Sequence, residues 1–238
     1  MKLETKHFSR RFAVGDIHGS LNTFRALVED KIQLTETDAL IILGDYIDRG
    51  PDSAGTVDYI LDLIDKGLNV FPLRGNHEHD ILSAHNMLDN EQLYLFYRLR
   101  FKSSKLLDRV TGLFPKYKAF FEKLPYFFET EDFFLVHAAF DFSKPNPFDD
   151  NADMLVMRTC RNNTNFTNGK PIIHGHQPFY LTEIQKKIES KSLCIPLDNG
   201  CVYSKPHKIY DYRQLSNLLA FNLDSYELFI QPNIEQQK

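Results

Sequence analysis

Three short polar loops, each opened by glycine, carry the side chains best suited to chemistry: Gly15-Asp16-Ile17-His18-Gly19, Gly44-Asp45-Tyr46-Ile47-Asp48-Arg49-Gly50 and Gly75-Asn76-His77-Glu78. Two more histidines, His137 and His176, follow apolar runs later in the chain. Asp16 and His18 stand two residues apart, so a backbone that stays extended past Val14 would aim both side chains at one ion. Carboxylate, imidazole and amide donors without a thiolate suit manganese, iron or zinc. A carboxylate such as Asp45 is able to bridge two ions. Two-metal phosphoryl-transfer sites use that arrangement to clamp the attacking and leaving oxygens and to acidify water to hydroxide at neutral pH. Arg49 offers paired N–H donors to phosphate oxygens. His77 would protonate a leaving oxygen, provided that Asp48 holds its ring.

These loops need strands to deliver them. Residues 12–14, 39–43 and 70–73 are short apolar, β-rich runs ending where the loops begin, and amphipathic helical patterns lie between them, which predicts an α/β architecture. Ser20 is placed to cap a helix burying Leu21, Phe24, Leu27 and Val28. A second helix is expected to bury Val57, Ile60, Leu61 and Ile64 and to end at Gly67. Residues 81–124 read as a helical insertion packed by Leu99, Phe101, Leu106 and Leu107. Its basic cluster of Arg98, Arg100, Lys102 and Lys105 is expected to be a solvated face rather than a docking surface for an anion. The second half reads as mainly β, at 133–136, 172–173, 193–197 and a closing hairpin of 218–223 and 226–230 around Asp224-Ser225. The whole of 1–238 is expected to form one catalytic domain.

At 238 residues the chain is long enough to bury a large core without disulfides. Its 28 Lys and Arg against 32 Asp and Glu give a net charge of −4, which lacks the electrostatic footprint of nucleic-acid binding. The longest apolar run, 39–43, is far shorter than a membrane span, and residues 1–11 hold no apolar leader core. A monomer in the cytoplasm, with no membrane partner, is the expectation. Three cysteines, Cys160, Cys194 and Cys201, are expected to be reduced thiols. None has an arginine six positions on, the spacing of cysteine-dependent phosphatases, because Phe166, Gly200 and His207 stand there. The chain also lacks the phosphate-loop, HExxH and GxSxG patterns.

The ordered motifs GDIHG at 15–19, GDYIDRGPDS at 44–53, LRGNHE at 73–78, VHA at 136–138 and HGHQ at 174–177 span about two thirds of the chain. In this the sequence resembles the phosphoprotein phosphatases of the calcineurin-like metallophosphoesterase superfamily, and in length the short bacterial and phage members. The resemblance implies a four-layer α/β/β/α sandwich of two mixed β-sheets, with the site at strand C-terminal ends. It implies two divalent ions, one on Asp16, His18 and Asp45 and the other on Asp45, Asn76, His137 and His176. Manganese is the expected ion in vitro, with iron or zinc as alternatives. Arg49 and Arg158 would hold the phosphate, and His77 with Asp48 would protonate the departing oxygen. A bridging hydroxide would attack phosphorus in line, with no covalent phosphoenzyme.

The implied substrate is a phosphomonoester, foremost phosphoserine or phosphothreonine in a protein, otherwise a small phosphoester. The symmetrical dinucleoside tetraphosphate hydrolases resemble this chain but have Asp in place of Glu78 and a small residue in place of Asp48. The superfamily's phosphodiesterases carry a further histidine where this chain has Pro178. His137-Ala138-Ala139 departs from the glycine usual in the family. Residues 197–203 resemble a structural segment of the bacterial members that lies near the site. His174 is expected to be a satisfied interior histidine, and His7, His79, His85 and His207 to be surface or locally bonded residues.

Overall fold

The computed structural model describes residues 1–101, 103–149, 151–203 and 211–235. Strand β1 (Arg11–Val14) is fully buried, and its alternate side chains serve two cores: Ala13 faces one, Phe12 and Val14 the other. It pairs in parallel with β2 (Ala39–Ile42), and β2 pairs in parallel with β3 (Asn69–Pro72). The connecting helices α1 (Leu21–Ala26) and α2 (Ser53–Asp65) pack over the Phe12 and Val14 face.

The insertion consists of α3 (Asn76–Met87), α4 (Asn90–Arg100), the two-residue strands β4 (Leu107–Asp108) and β5 (Gly112–Leu113), and α5 (Pro115–Lys123). Its buried Leu93, Tyr97, Leu106, Leu107 and Phe121 join the same core as α1 and α2. Next come β6 (Phe127–Glu129), β7 (Phe134–Val136), α6 (Asp153–Val156), α7 (Thr164–Thr167), β8 (Ile172–His174), α8 (Leu181–Glu189) and β9 (Cys194–Pro196). The chain closes with β10 (Asn217–Asn222) and β11 (Leu228–Pro232).

Both large sheets are mixed. One has the order β11-β10-β1-β2-β3, with β10 antiparallel to both its neighbours; the other is β6-β7-β8-β9, with only β6 antiparallel. They share a core in which Ala13, Ile41, Leu43 and Leu219 of the first meet Leu135, Ile173 and Ile195 of the second. The outer face of the second sheet, Phe134, Val136 and Ile172, is covered by Phe140, Phe148 and Met154 from a loop and a short helix. The result is the expected α/β sandwich with mixed sheets. Among the described residues no helix is long and apolar enough to cross a membrane.

Several local expectations change. Ser20 sits at the N-cap position of α1 but makes no side-chain cap bond. In α2, Ile64 is exposed and Leu61 half-buried, because the large apolar side chains the helix turns fully inward are Val57, Tyr59, Ile60 and Leu63. Leu99 is 79% exposed, since α4 buries Leu93 and Tyr97 and presents its opposite face to solvent. The insertion also holds the β4–β5 hairpin, and a further strand, β6, pairs with β7 outside the expected strand set. Gly67, at φ 83° just past the Lys66 C-cap, terminates α2 as expected. Arg98, Arg100 and Lys105 are exposed, while Lys102 lies outside the described residues, as does His207.

Candidate metal centre

The C-terminal ends of parallel β1, β2 and β3 lie side by side, so the segments that follow them must meet, and those following β7 and β8 face them from the second sheet. Asp16 and His18 do converge, with His18 Nε2 4.0 Å from Asp16 Oδ2. They do not converge by continued extension. The strand ends at Val14 and His18 adopts φ 48°, so a turn rather than pleat alternation brings the ring back. Asp45, Asp48, Arg49 and His176 also have φ between 51° and 70°. For non-glycine residues such backbone costs about 1 kcal/mol or more each, and strain of this kind concentrates at functional sites.

Asn76, His77 and Glu78 are not on a loop. They form the first turn of α3, after Gly75 at the N-cap. Gly44 allows that approach: it has φ 105°, and a Cβ there would lie 2.5 Å from the Gly75 nitrogen.

The donor atoms form two adjoining groups that share Asp45. In the first, His18 Nε2 lies 3.5 Å and His77 Nε2 3.9 Å from Asp45 Oδ2. In the second, His137 Nε2 is 3.4 Å from Asp45 Oδ1 and 3.1 Å from Asn76 Oδ1, and His176 Nδ1 is 3.0 Å from Asn76 Oδ1. Donors about 2.1 Å from a common ion stand roughly 3–4 Å from one another, so both groups have the dimensions of a coordination shell.

Proton positions strengthen the fit. The Nδ1 of His18 faces the Ile47 carbonyl at 2.9 Å, and the Nδ1 of His137 faces that of Leu43 at 2.9 Å. Each Nδ1–H donates there, which leaves the Nε2 lone pairs to accept: that of His18 takes an Arg49 N–H at 2.8 Å, while that of His137 faces Asn76 and Asp45 oxygens that also carry only lone pairs. Burial keeps His18 and His137 below their ordinary pKa and takes His176 down to about 4, so all three rings are neutral donors. Burial, with the charges of Asp198 and Asp45, drives Asp16 well above the ordinary carboxylate range, and burial raises Asp198 to about 6. Crowded, buried carboxylates facing imidazole lone pairs are the environment that a divalent cation relieves.

Around these donors stand the other expected residues. Asp48 Oδ2 lies 2.6 Å from His77 Nδ1. The Arg49 guanidinium reaches His18 Nε2 at 2.8 Å and His77 Nε2 at 3.1 Å. Arg158 is exposed on the segment after α6, close enough for its charge to lower His176 further. His174 is buried with its ring beside Phe179, and among the described residues neither it nor His7, His79 or His85 belongs to a donor group. Cys160, Cys194 and Cys201 are free thiols.

Three contributors were not singled out as site residues from sequence. Glu78 supports two loops from beneath, Asp80 hydrogen-bonds the side chain of Asn76, and Ser103 touches Asp48. The first two could have been found from the turn of helix opened by Gly75. Ser103 had no sequence signal.

The chain belongs to the calcineurin-like phosphoesterase family, whose model matches residues 10–217. That family is the metallophosphoesterases. Over 73 residues it is 44% identical to a zinc-dependent endopolyphosphatase of Saccharomyces cerevisiae, covering 30% of this chain and 22% of that one. Over 82 residues it is 35% identical to a symmetrical bis(5'-nucleosyl)-tetraphosphatase of Buchnera aphidicola, covering 34% and 29%. The match thus spans less than a third of either relative's length. Among solved structures, a proposed diadenosine tetraphosphatase superposes with TM-score 0.70 at 19% identity, covering 99% of this chain and 98% of that one. A Saccharomyces cerevisiae protein serine/threonine phosphatase superposes with TM-score 0.66 at 16% identity, covering 100% and 85%. At such identities these likenesses establish the shared fold.

Proposed function

We propose that the protein is a dinuclear-metal phosphomonoesterase whose substrate is phosphoserine or phosphothreonine in a protein. In this reading Asp16, His18 and Asp45 hold one ion, and Asp45, Asn76, His137 and His176 the other. Bound divalent ions supply Lewis acidity, lowering the pKa of water and offsetting phosphate charge. Manganese serves in vitro, with iron or zinc as alternatives. Arg49 and Arg158 grip the non-bridging phosphate oxygens. Residues 1–238 act as one catalytic unit, monomeric and cytoplasmic.

The observation that carries this reading is the contact between His77 Nδ1 and Asp48 Oδ2 at 2.6 Å. Asp48 accepts the Nδ1–H and would stabilise the imidazolium formed when Nε2, which accepts an Arg49 N–H at 3.1 Å in this structure, takes up a proton to hand to a leaving oxygen. An alkoxide leaves poorly without a proton, whereas a phosphate leaving from an anhydride departs as a stable anion. A positioned acid therefore supports ester rather than anhydride cleavage. Because His77 also falls within the first donor group, metal content must separate its role from that of a ligand.

A second reading, symmetrical hydrolysis of a dinucleoside tetraphosphate, is favoured by the names of the Buchnera aphidicola relative and of the structure with TM-score 0.70. It fits those comparisons at least as well as the first. The experiment measures phosphate and nucleotide release with manganese added and then chelated, from phosphoseryl and phosphothreonyl peptides beside diadenosine tetraphosphate. Cleavage of the peptides alone supports the phosphomonoesterase. Cleavage of the dinucleotide alone overturns it in favour of the second reading.

A further inference from the structure

Asp48 is held on several sides, and one of the groups comes from the insertion. Its Oδ2 faces His77, while Ser103 Oγ approaches its Oδ1 at 2.5 Å. The Asp48 N–H donates to Ser53 Oγ at 2.9 Å, and the two serine hydroxyls touch at 3.0 Å. Asp48, Ser53 and Ser103 are all buried, so water does not compete for these bonds.

Each hydroxyl has one proton to give, which fixes the direction of the chain. Ser103 has the Asp48 carboxylate at 2.5 Å and the Phe101 carbonyl at 3.2 Å, and the charged, nearer acceptor takes its proton. Ser53 then donates to Ser103. The bonds close a ring running from the Asp48 N–H through Ser53 and Ser103 to Asp48 Oδ1.

Such a ring stops the carboxylate from turning about its Cβ–Cγ bond. With Oδ1 occupied, Oδ2 remains aimed at the Nδ1–H of His77, and Nε2 is presented to the substrate side. The insertion also braces the ring itself, because Phe101 packs edge-on against His77 at 5.8 Å between centroids. Small displacements of an acid from its leaving oxygen cost large factors in rate.

We propose that Ser103, supported by Ser53, is a positioning residue for the Asp48–His77 pair, and that the helical insertion thereby completes the proton-donating apparatus. The inference rests on the reading of His77 as the proton donor.

The test compares metal-loaded wild type, Ser103→Ala and Ser103→Thr on two phosphomonoesters. One is p-nitrophenyl phosphate, whose leaving group departs without a proton; the other is a phosphoseryl peptide, whose alkoxide needs one. Ser103→Ala should lower kcat on the peptide by about 10–30-fold and on the nitrophenyl ester by less than about twofold, with KM unchanged, since general-acid help is worth roughly 100-fold or more in full. Ser103→Thr keeps the hydroxyl and should restore the peptide rate. Equal losses on both esters, or none on either, overturn the proposal. Should Ser103→Ala fail to fold, Ser53→Ala opens the ring from the other side and must show the same asymmetry.

A second measurement needs no turnover. In the metal-free protein the His77 Nδ1–H proton should resonate downfield of the amides, assigned by its loss in His77→Asn. Opening the ring should move and broaden it, and threonine should preserve it; an unmoved resonance overturns the proposal. If wild type cleaves neither ester, the phosphomonoesterase reading falls, and this resonance alone decides the role of Ser103.

Discussion

Glu78 reaches back beneath the candidate site to hold Asp45: its Oε2 accepts the Asp45 N–H at 2.9 Å and that of Gly75 at 3.0 Å. Its Oε1 takes the Tyr46 N–H at 2.8 Å and that of Ile47 at 3.3 Å. Burial and the Asp45 charge push this carboxyl up to about 8, but four N–H donors saturate its oxygens and leave no acceptor for a proton. One side chain therefore ties the segment after β2 to the start of α3.

Glu78→Gln sets an amide NH2 against backbone N–H groups and should destabilise the fold by about 2–3 kcal/mol. Glu78→Asp withdraws the carboxylate by one methylene and should cost at least as much. Urea denaturation at pH 7 measures both; midpoints equal to wild type would remove the structural role assigned to Glu78.

Asp45→Asn and His77→Asn separate the ligands from the proton donor. Asp45 lies in both donor groups, so its variant should lose most bound metal at both positions. His77→Asn should retain metal near the wild-type ratio while kcat falls by about 100-fold or more. Metal analysis after gel filtration decides the matter, and equal metal loss in the two would make His77 a ligand.

Adding manganese or zinc to chelator-treated protein should raise its melting temperature, because the cation relieves the buried Asp16 and Asp198. At 100 times the dissociation constant the gain is about 2.7 kcal/mol. Asp16→Ala should shrink the rise measured by differential scanning calorimetry, and an undiminished rise would place the metal elsewhere.

Glu131 offers a pH signature remote from the site. Burial opposes its ionisation, but hydrogen bonds from its own N–H, the Thr5 N–H and hydroxyl and the Lys6 N–H outweigh this and hold its carboxyl down from 4.5 to about 2. A lowered folded-state pKa gives stability that is complete above pH 4.5 and fades as pH falls toward 2. With a third of its side chain exposed, the contribution is about 1 kcal/mol. Wild type minus Glu131→Gln, followed by urea midpoints at pH 6 and pH 2.5, should narrow by most of that amount.

Much of the fold was legible because its signals are local. Short apolar runs at 39–43 and 70–73, bounded by polar loops, fit strands, and β2, fully buried, and β3, partly buried, lie there within a residue or so. Gly67 ends α2 because the left-handed turn needs no Cβ. Amphipathic faces were less legible: Ile64 and Leu99 fit a helical stripe in sequence, yet both are exposed, Leu99 the more so. The short strand β6 was hidden among aromatic residues whose spacing fits helix and strand alike.

The sequence by itself determined which donors this protein has and the order in which they arrive, since residue types and their adjacency to strand ends are covalent facts. It also determined the family, through motifs too numerous to coincide by chance. Only the tertiary structure decided that His18 turns back through a left-handed backbone, that Asn76 and His77 ride the first turn of a helix, and that Ser103 closes on Asp48 from 55 positions away. Those relationships depend on which elements pack together, and packing is a cooperative property of the whole core that no local window of residues contains.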